Sequence, residues 1–266
     1  MKVGFIGAGN MAEAMIASLI TSKILMPHEI SVSDISADRR GLIKQSYRVN
    51  VYSKNQVIPG VADILFLAVK PQQLSEVLGE IASNVGHQHL VISIVAGKKV
   101  EFIQSQLPQV RVIRVMPNLP CTVSEAMSVF CMGGTANTSD RQIASKLLSS
   151  FGKVLELPEE RFDAVTALSG SGPAFFSYFL NQMVDASVKE GLSREDALML
   201  ACQTMLGTSR LLIEKNLDPV DLIKTVTSAK GTTAAGLAVL DKSDVSAIVS
   251  QTIRAAARRS SELSAS

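Results

Sequence analysis

Charge is scarce in this chain. Charged side chains make up 19% of its 266 residues and the formal net charge is +2. That balance gives no electrostatic case for a nucleic acid or an anionic membrane as partner. Cysteine is nearly missing as well. The three residues, Cys121, Cys131 and Cys202, lie far apart and are odd in number. They lack zinc spacing and suggest no disulfide framework, so a reducing cytoplasm is the expected setting. The histidines are His28, His87 and His89; none has the HExxH pattern and no cysteine lies near them, so no metal site is expected. Long apolar runs are absent too. The longest uncharged stretch, 164–184, contains Gly170, Gly172, Pro173, Asn181 and Gln182. It reads as a loop followed by a buried helix rather than a membrane span. The first residues read as a strand and carry Glu13 early, a poor signal peptide. There is no internal repeat or low-complexity segment.

What is abundant is apolar material, at 47% of the residues, enough for a core and for a buried subunit interface. The chain is organised around residues 2–19. Val3, Phe5 and Ile6 predict a buried first strand. Gly7-Ala8-Gly9-Asn10-Met11-Ala12 is a G-x-G-x-x-A turn, and Met11, Met15, Ile16 and Leu19 recur at helical spacing. Strand, glycine turn and helix in that order form the context in which the motif binds a dinucleotide. Gly7 permits the tight turn, Gly9 lets backbone approach a pyrophosphate, and Ala12 lets the helix lie close on the strand. The phosphates would meet the unpaired N–H groups of the helix start.

Residues 29–34 predict the second strand, with Asp34 close to where an acidic residue holds the adenosine ribose. Arg39 and Arg40 follow and offer a 2′-phosphate partner instead; Asp34, Ser36 and Asp38 also suit a turn and helix cap. NAD and NADP are both open on this reading. The apolar runs 64–69, 89–95 and 110–116 predict further parallel strands. They break at Lys70-Pro71, Ala96-Gly97 and Pro117-Asn118. The ligand crevice of an open α/β sheet lies at such carboxyl ends, so Ala68, Val69, Lys70, Pro71, Ala96 and Asn118 form one expected wall of a cofactor pocket. Lys70 suits either a phosphate or solvent.

Alternation continues through an apolar run at 126–132, a helix near 139–151 and a short segment at 154–157. Beyond about Glu159 the period is helical, with helices expected over 175–189, 194–215 and 245–263 and a short one starting at Asp218-Pro219. The expected fold is α/β: a Rossmann-like NAD(P)-binding domain, 1–158, followed by an all-helical domain, 159–266. Two stretches of the helical half are rich in small hydroxylic residues, 169–174 (SGSGPA) and 227–233 (TSAKGTT). Each precedes a helix and suits a carboxylate, or else simple caps and close packing. Reduction of a ketone usually needs an acid at the oxygen. No lysine lies between Lys153 and Lys189, and no histidine lies in the helical half. An imine arrives already protonated and needs hydride, orientation and a hydrogen bond only, so the inventory leans towards C=N reduction.

These motifs resemble the pyrroline-5-carboxylate reductases along essentially the whole chain: GFIGAGNMA at 4–12, LAVKP at 67–71, MPN at 116–118, DAVTALSGSGPAF at 163–175 and TSAKGTTAAGL at 227–237. The resemblance implies reduction of Δ1-pyrroline-5-carboxylate to L-proline with NADPH or NADH, the last step of proline biosynthesis. It implies that Ile6, Gly7, Ala8, Gly9, Asn10, Met11, Asn55 and Ala68 to Pro71 line the cofactor. It implies that Ser228, Gly231, Thr232 and Thr233 hold the substrate, with the Thr233 hydroxyl on the ring nitrogen as the catalytic contact. It further implies a homodimer or higher homo-oligomer. Ala229-Lys230 departs from the Pro-Gly pair frequent in the family; Lys230 is expected in solvent. Cys121 follows MPN closely but has no neighbour in sequence to lower its pKa, so it is not expected to act as a nucleophile. The rival readings are a reductase of another cyclic imine or of a hydroxy acid, and a nucleotide-binding partner without chemistry.

Overall fold

The computed structural model describes residues 1–265. Eight strands form one sheet: β1 (Val3–Ile6), β2 (Ile30–Ser33), β3 (Asn50–Tyr52), β4 (Ile64–Leu67), β5 (Leu90–Ser93), β6 (Arg111–Met116), β7 (Ala126–Met132) and β8 (Gly152–Glu156). Helices α1 (Asn10–Thr21), α2 (Ala37–Tyr47), α3 (Leu74–Ile81), α4 (Val100–Gln106) and α5 (Thr138–Leu148) connect them. The spatial order is β3-β2-β1-β4-β5-β6-β7-β8, and every pairing is parallel except β6 with β7. The first six strands thus follow the doubly wound order in which ligands bind outside the carboxyl ends.

The apolar strands are buried on both faces, which is why they read as continuous runs rather than alternations. On one face Phe5 stacks on Phe66 across the β1–β4 pair, with ring centroids 4.7 Å apart, and Met15, Ile16 and Leu19 of α1 close over them. On the other, Ile6, Leu65 and Leu67 pack with Leu78, Ile81 and Ile103. Strand β3 was not legible as a strand: it is three residues long, starts on an exposed asparagine and pairs only with β2. Gly152 turns the chain into β8 at φ +150°, where a Cβ would stand 2.5 Å from the Ala126 backbone nitrogen and 2.7 Å from its carbonyl carbon, so no side chain fits.

The chain then continues as α6 (Phe162–Val165), α7 (Gly172–Lys189), α8 (Arg194–Glu214), α9 (Pro219–Val226), α10 (Thr232–Asp241) and α11 (Val245–Ala265). The loop expected ahead of α7 is instead wound. Residues Thr166–Gly170 form a π turn in which the Ser171 N–H donates to the Thr166 carbonyl at 2.8 Å. Packing divides the chain into two units. The first comprises Met1–Ser171 and the last helix from Ala256 onward; the second comprises Gly172–Ala255. The first unit therefore runs past Pro158, and the Ser260 hydroxyl of α11 donates to Asp163 within it at 2.7 Å.

The helix over 175–189, expected to be buried, is largely exposed in the single chain. Among the residues of the second unit only Gly172, Val184 and Ala197 are buried, while Phe176, Tyr178 and Met183 of α7 are exposed. No helix among the described residues is long and apolar enough to cross a membrane.

Candidate functional site

Gly7 leaves β1 at φ +99°, and a Cβ there would stand 2.5 Å from the Ala68 carbonyl oxygen at the end of β4. Its N–H donates to Ser33 at the end of β2, at 2.8 Å, and the Ala68 N–H donates to Ile6 at 2.9 Å. The turn is thereby tied to both neighbouring strands. Gly9 is the N-cap of α1 in extended backbone, with no side chain capping the helix and nothing within 4 Å of its would-be Cβ. An exposed, uncapped helix start beside open space is a cradle that fits a pyrophosphate, since the first N–H groups of a helix have no partner within it. The residues present therefore fit a dinucleotide.

Asp34 stands just beyond β2. Its carboxylate accepts from the Ala8 N–H and from the Ser36 N–H, both at 2.8 Å. Ser36 is also the N-cap of α2, its hydroxyl accepting from the Arg39 N–H. The turn and the helix cap considered for this stretch thus both occur, the turn at Asp34 and the cap at Ser36. The Ser33 side chain is fully buried and donates to Asn55 Oδ1 at 2.7 Å, while Asn55 Nδ2 donates to Glu80 at 2.7 Å. Ser33, Glu80 and Glu13 belong to this end of the sheet and escaped sequence reasoning. The one available signal was a serine inside an apolar strand.

Ile6 to Met11, Asp34, Asn55, Ala68 to Pro71, Ala96 and Asn118 all fall at or just past the carboxyl ends of the first six strands, at one edge of the sheet. Lys70 and Ala96 are exposed there. Asn118 is engaged on every side by the protein. Its Nδ2 donates to the Ser169 carbonyl and hydroxyl, both at 3.3 Å, and its Oδ1 accepts from the Met127 N–H at 2.9 Å. It thereby joins the end of β6 to the π turn. A Cβ on Gly170 would meet the Met116 methyl at 2.6 Å, which packs the end of β6 closely on the π turn. A cavity of about 1010 Å³ between α4 and the β7–β8 edge is lined by Glu101, Gln104, Arg141 and Glu156 and contains no candidate residue.

In the second unit, Gly231 is the N-cap of α10, again with no side-chain cap. Its N–H donates to the Ser228 carbonyl at 3.0 Å, closing a turn in which Lys230 takes φ +58°. A Cβ on Gly231 would meet the Ser228 hydroxyl at 2.3 Å, so a side chain there would have to displace that hydroxyl. Among the described residues, the first N–H groups of α10 and the half-buried Thr233 hydroxyl have no protein partner, an arrangement able to hold a carboxylate. Lys230 is exposed. The 169–172 stretch differs, because its backbone is taken up by the π turn. His89 is buried and satisfied, its ring nitrogens meeting the Pro59 carbonyl and the Gly86 N–H. Cys121 is buried, which pushes its thiol up to about 12 and leaves no thiolate to act.

Comparison with known proteins covers both units. A family model described as pyrroline-5-carboxylate reductase dimerisation matches residues 159–263, and one described as NADP oxidoreductase, coenzyme F420-dependent, matches residues 2–97. A pyrroline-5-carboxylate reductase of Synechocystis sp. is 41% identical over 263 residues, 99% of this chain and 98% of that protein. The structure superposes on a pyrroline-5-carboxylate reductase of Coxiella burnetii with a TM-score of 0.94 at 31% identity, covering 99% and 98% of the two chains. It superposes on the Plasmodium falciparum pyrroline carboxylate reductase, solved with NADP bound, with a TM-score of 0.88 at 29% identity, covering 99% and 98%.

Proposed function

The chain belongs to the pyrroline-5-carboxylate reductase family, NAD(P)H-dependent oxidoreductases acting on a C=N bond, and from that membership we propose how its own residues divide the reaction. The reaction is reduction of Δ1-pyrroline-5-carboxylate to L-proline, the closing step of proline biosynthesis. When bound, the reduced nicotinamide supplies the hydride. The backbone of Gly7 to Met11 holds the pyrophosphate, and the ends of β4 and β5, at Ala68 to Pro71 and Ala96, line the nicotinamide half. Ser228, Gly231, Thr232 and Thr233 hold the substrate carboxylate at the start of α10. The Thr233 hydroxyl meets the ring nitrogen and keeps the imine carbon facing the hydride donor. The substrate enters as an iminium, takes up hydride at carbon and leaves as a neutral amine, so no side chain need deliver a proton. Catalysis is then mainly orientation of two bound reactants, an effect that can supply about 7–11 kcal/mol when geometry is good.

The observation that carries this reading is the uncapped start of α10, with a Thr233 hydroxyl that has no partner among the described residues, in a chain matching these reductases over nearly its full length. Oxidation of NADH and of NADPH, followed by nicotinamide absorbance with pyrroline-5-carboxylate supplied, tests it directly. Consumption that yields proline supports the reading. No consumption from folded protein that still binds nucleotide would overturn it.

We further propose that the second unit pairs with a second copy of the chain. Met199 and Ile213 of α8 are 62% and 70% exposed and Val239 of α10 is 70% exposed, apolar surface on two helices with almost nothing buried beneath. Such surface marks an interface. Three unpaired cysteines fit a reducing cytoplasm, where we place the protein.

A further inference from the structure

We propose that Asp34 and the side chains around it make this chain select NADH over NADPH. The inference rests on the dinucleotide reading of the Gly7–Met11 turn and deepens it. Both oxygens of the Asp34 carboxylate are pinned by backbone N–H groups, Ala8 and Ser36, each at 2.8 Å. The carboxylate therefore cannot swing aside. Each oxygen keeps acceptor capacity for a ribose hydroxyl. A 2′-phosphate at the same place would bring a charge of about −1.5 to −2 against it.

The cations that would offset that charge are already hydrogen-bonded to protein acceptors. Arg39 donates from Nε to the Ala8 carbonyl at 2.7 Å and from Nη2 to Glu13 at 2.6 Å. The other Glu13 oxygen accepts from the Tyr47 hydroxyl at 3.2 Å, which fixes the pair. Arg40 is turned back onto carbonyls, its Nη1 donating to Asp34 O at 2.7 Å and to Ile35 O at 3.0 Å. The side chain beside Asp34 is Ile35, 78% exposed. It stands over a cavity of about 450 Å³ that Ser53, Lys54, Asn55 and Glu80 also line. An exposed apolar side chain at a strand end suits the face of an adenine and gives a phosphate nothing. Lys54 lines that cavity together with the carboxylate of Glu80.

The test is equilibrium binding on the full chain by calorimetry, with NADH against NADPH and with ADP-ribose against its 2′-phosphorylated form. The expected dissociation constant is at least about tenfold lower for the unphosphorylated member of each pair, since like charges facing each other at a site are strongly disfavoured. Asp34→Asn should bring the ratio to within about threefold by improving NADPH binding. Ile35→Arg, which leaves the pinned carboxylate untouched, should shift the ratio the same way and decides the matter if Asp34→Asn does not fold. NADPH binding as tightly as NADH, or ratios unmoved in the folded variants, would overturn the selection and leave the dinucleotide site standing. A folded chain that binds neither coenzyme would overturn the dinucleotide reading itself, and the selection with it.

Discussion

The two glycines of the first turn have different physical duties, and replacing each with alanine should separate them. At Gly7 the backbone is at φ +99°, outside the range an L side chain adopts cheaply. Alanine in a left-handed conformation costs about 1–2 kcal/mol before any contact is counted. Its Cβ would also stand 2.5 Å from the Ala68 oxygen and 2.8 Å from the Ala68 carbonyl carbon. Those are backbone atoms of a strand end whose N–H is hydrogen-bonded to Ile6 at 2.9 Å, so they cannot rotate away like a side chain. Relief requires β1 and β4 to part by most of an ångström, at the cost of that hydrogen bond, about 1 kcal/mol. Gly7→Ala should therefore destabilise the first unit by about 3 kcal/mol or more, a large share of the 5–15 kcal/mol typical of a folded protein.

Gly9→Ala is the counterpart. Gly9 has φ −67° and ψ 176°, which alanine adopts freely, and nothing lies within 4 Å of its would-be Cβ. The loss of a good N-cap and the gain in chain stiffness oppose each other, so stability should change by less than about 1 kcal/mol. The new methyl projects into the space that a pyrophosphate must approach, so nucleotide affinity should fall by about tenfold or more. Urea unfolding and NADH titration on both variants provide the assay. A Gly7→Ala variant within 1 kcal/mol of wild type would refute the steric argument, and a Gly9→Ala variant with unchanged affinity would refute the placement of the phosphates.

Thr233→Ala should lower turnover at saturating coenzyme by about ten- to a hundredfold with fold and nucleotide affinity intact, and Thr233→Ser should recover part of it; wild-type turnover in the alanine variant would remove the threonine from the reaction. Cys121 and Cys131 have thiols that burial pushes up to about 12 from an ordinary 9.0, with nearby Glu159 adding to the effect at Cys131. The folded chain keeps these protons where the unfolded chain loses them, so stability is full below pH 9 and falls between pH 9 and 12. The fall should be about 1.4 kcal/mol per pH unit for each thiol, read by urea unfolding at a series of pH values, and the double variant Cys121→Ala/Cys131→Ala should flatten it; parallel profiles would refute it. Sedimentation should find a dimer or larger assembly at micromolar concentration, and a monodisperse monomer would refute the proposed pairing.

The parts of this molecule that left a mark on its sequence are those where the backbone itself needs a particular residue. Gly7 is legible because a Cβ there has nowhere to go, and the strand ends at Lys70-Pro71 and Ala96-Gly97 because apolar runs must stop where the sheet stops. What stayed hidden depends on residues distant in the chain. Asn118 meets Ser169 across 51 positions, and no local pattern announces the meeting. The π turn over Thr166–Gly170 has the composition of a loop, and only the Ser171-to-Thr166 hydrogen bond distinguishes it. Arg39 and Arg40 looked available to a phosphate because a sequence shows which cations are near, not which carbonyls have already taken them.

The helical unit shows the same boundary from the other side. Its period predicted helices, and helices are there, yet period alone does not say how many neighbours a helix needs. On α8, Leu198, Met199 and Leu200 are consecutive and all exposed, and Leu206, Leu211 and Ile213 follow. Three consecutive residues span most of a turn, so they cannot share one stripe. A helix that is apolar on several sides is stable only when it is enclosed on several sides. One chain supplies α8 with too little cover, since Ala197 is its only buried residue. In the pairing proposed above, that cover comes from a second copy carrying the same exposed surface, for which burying one face buries both.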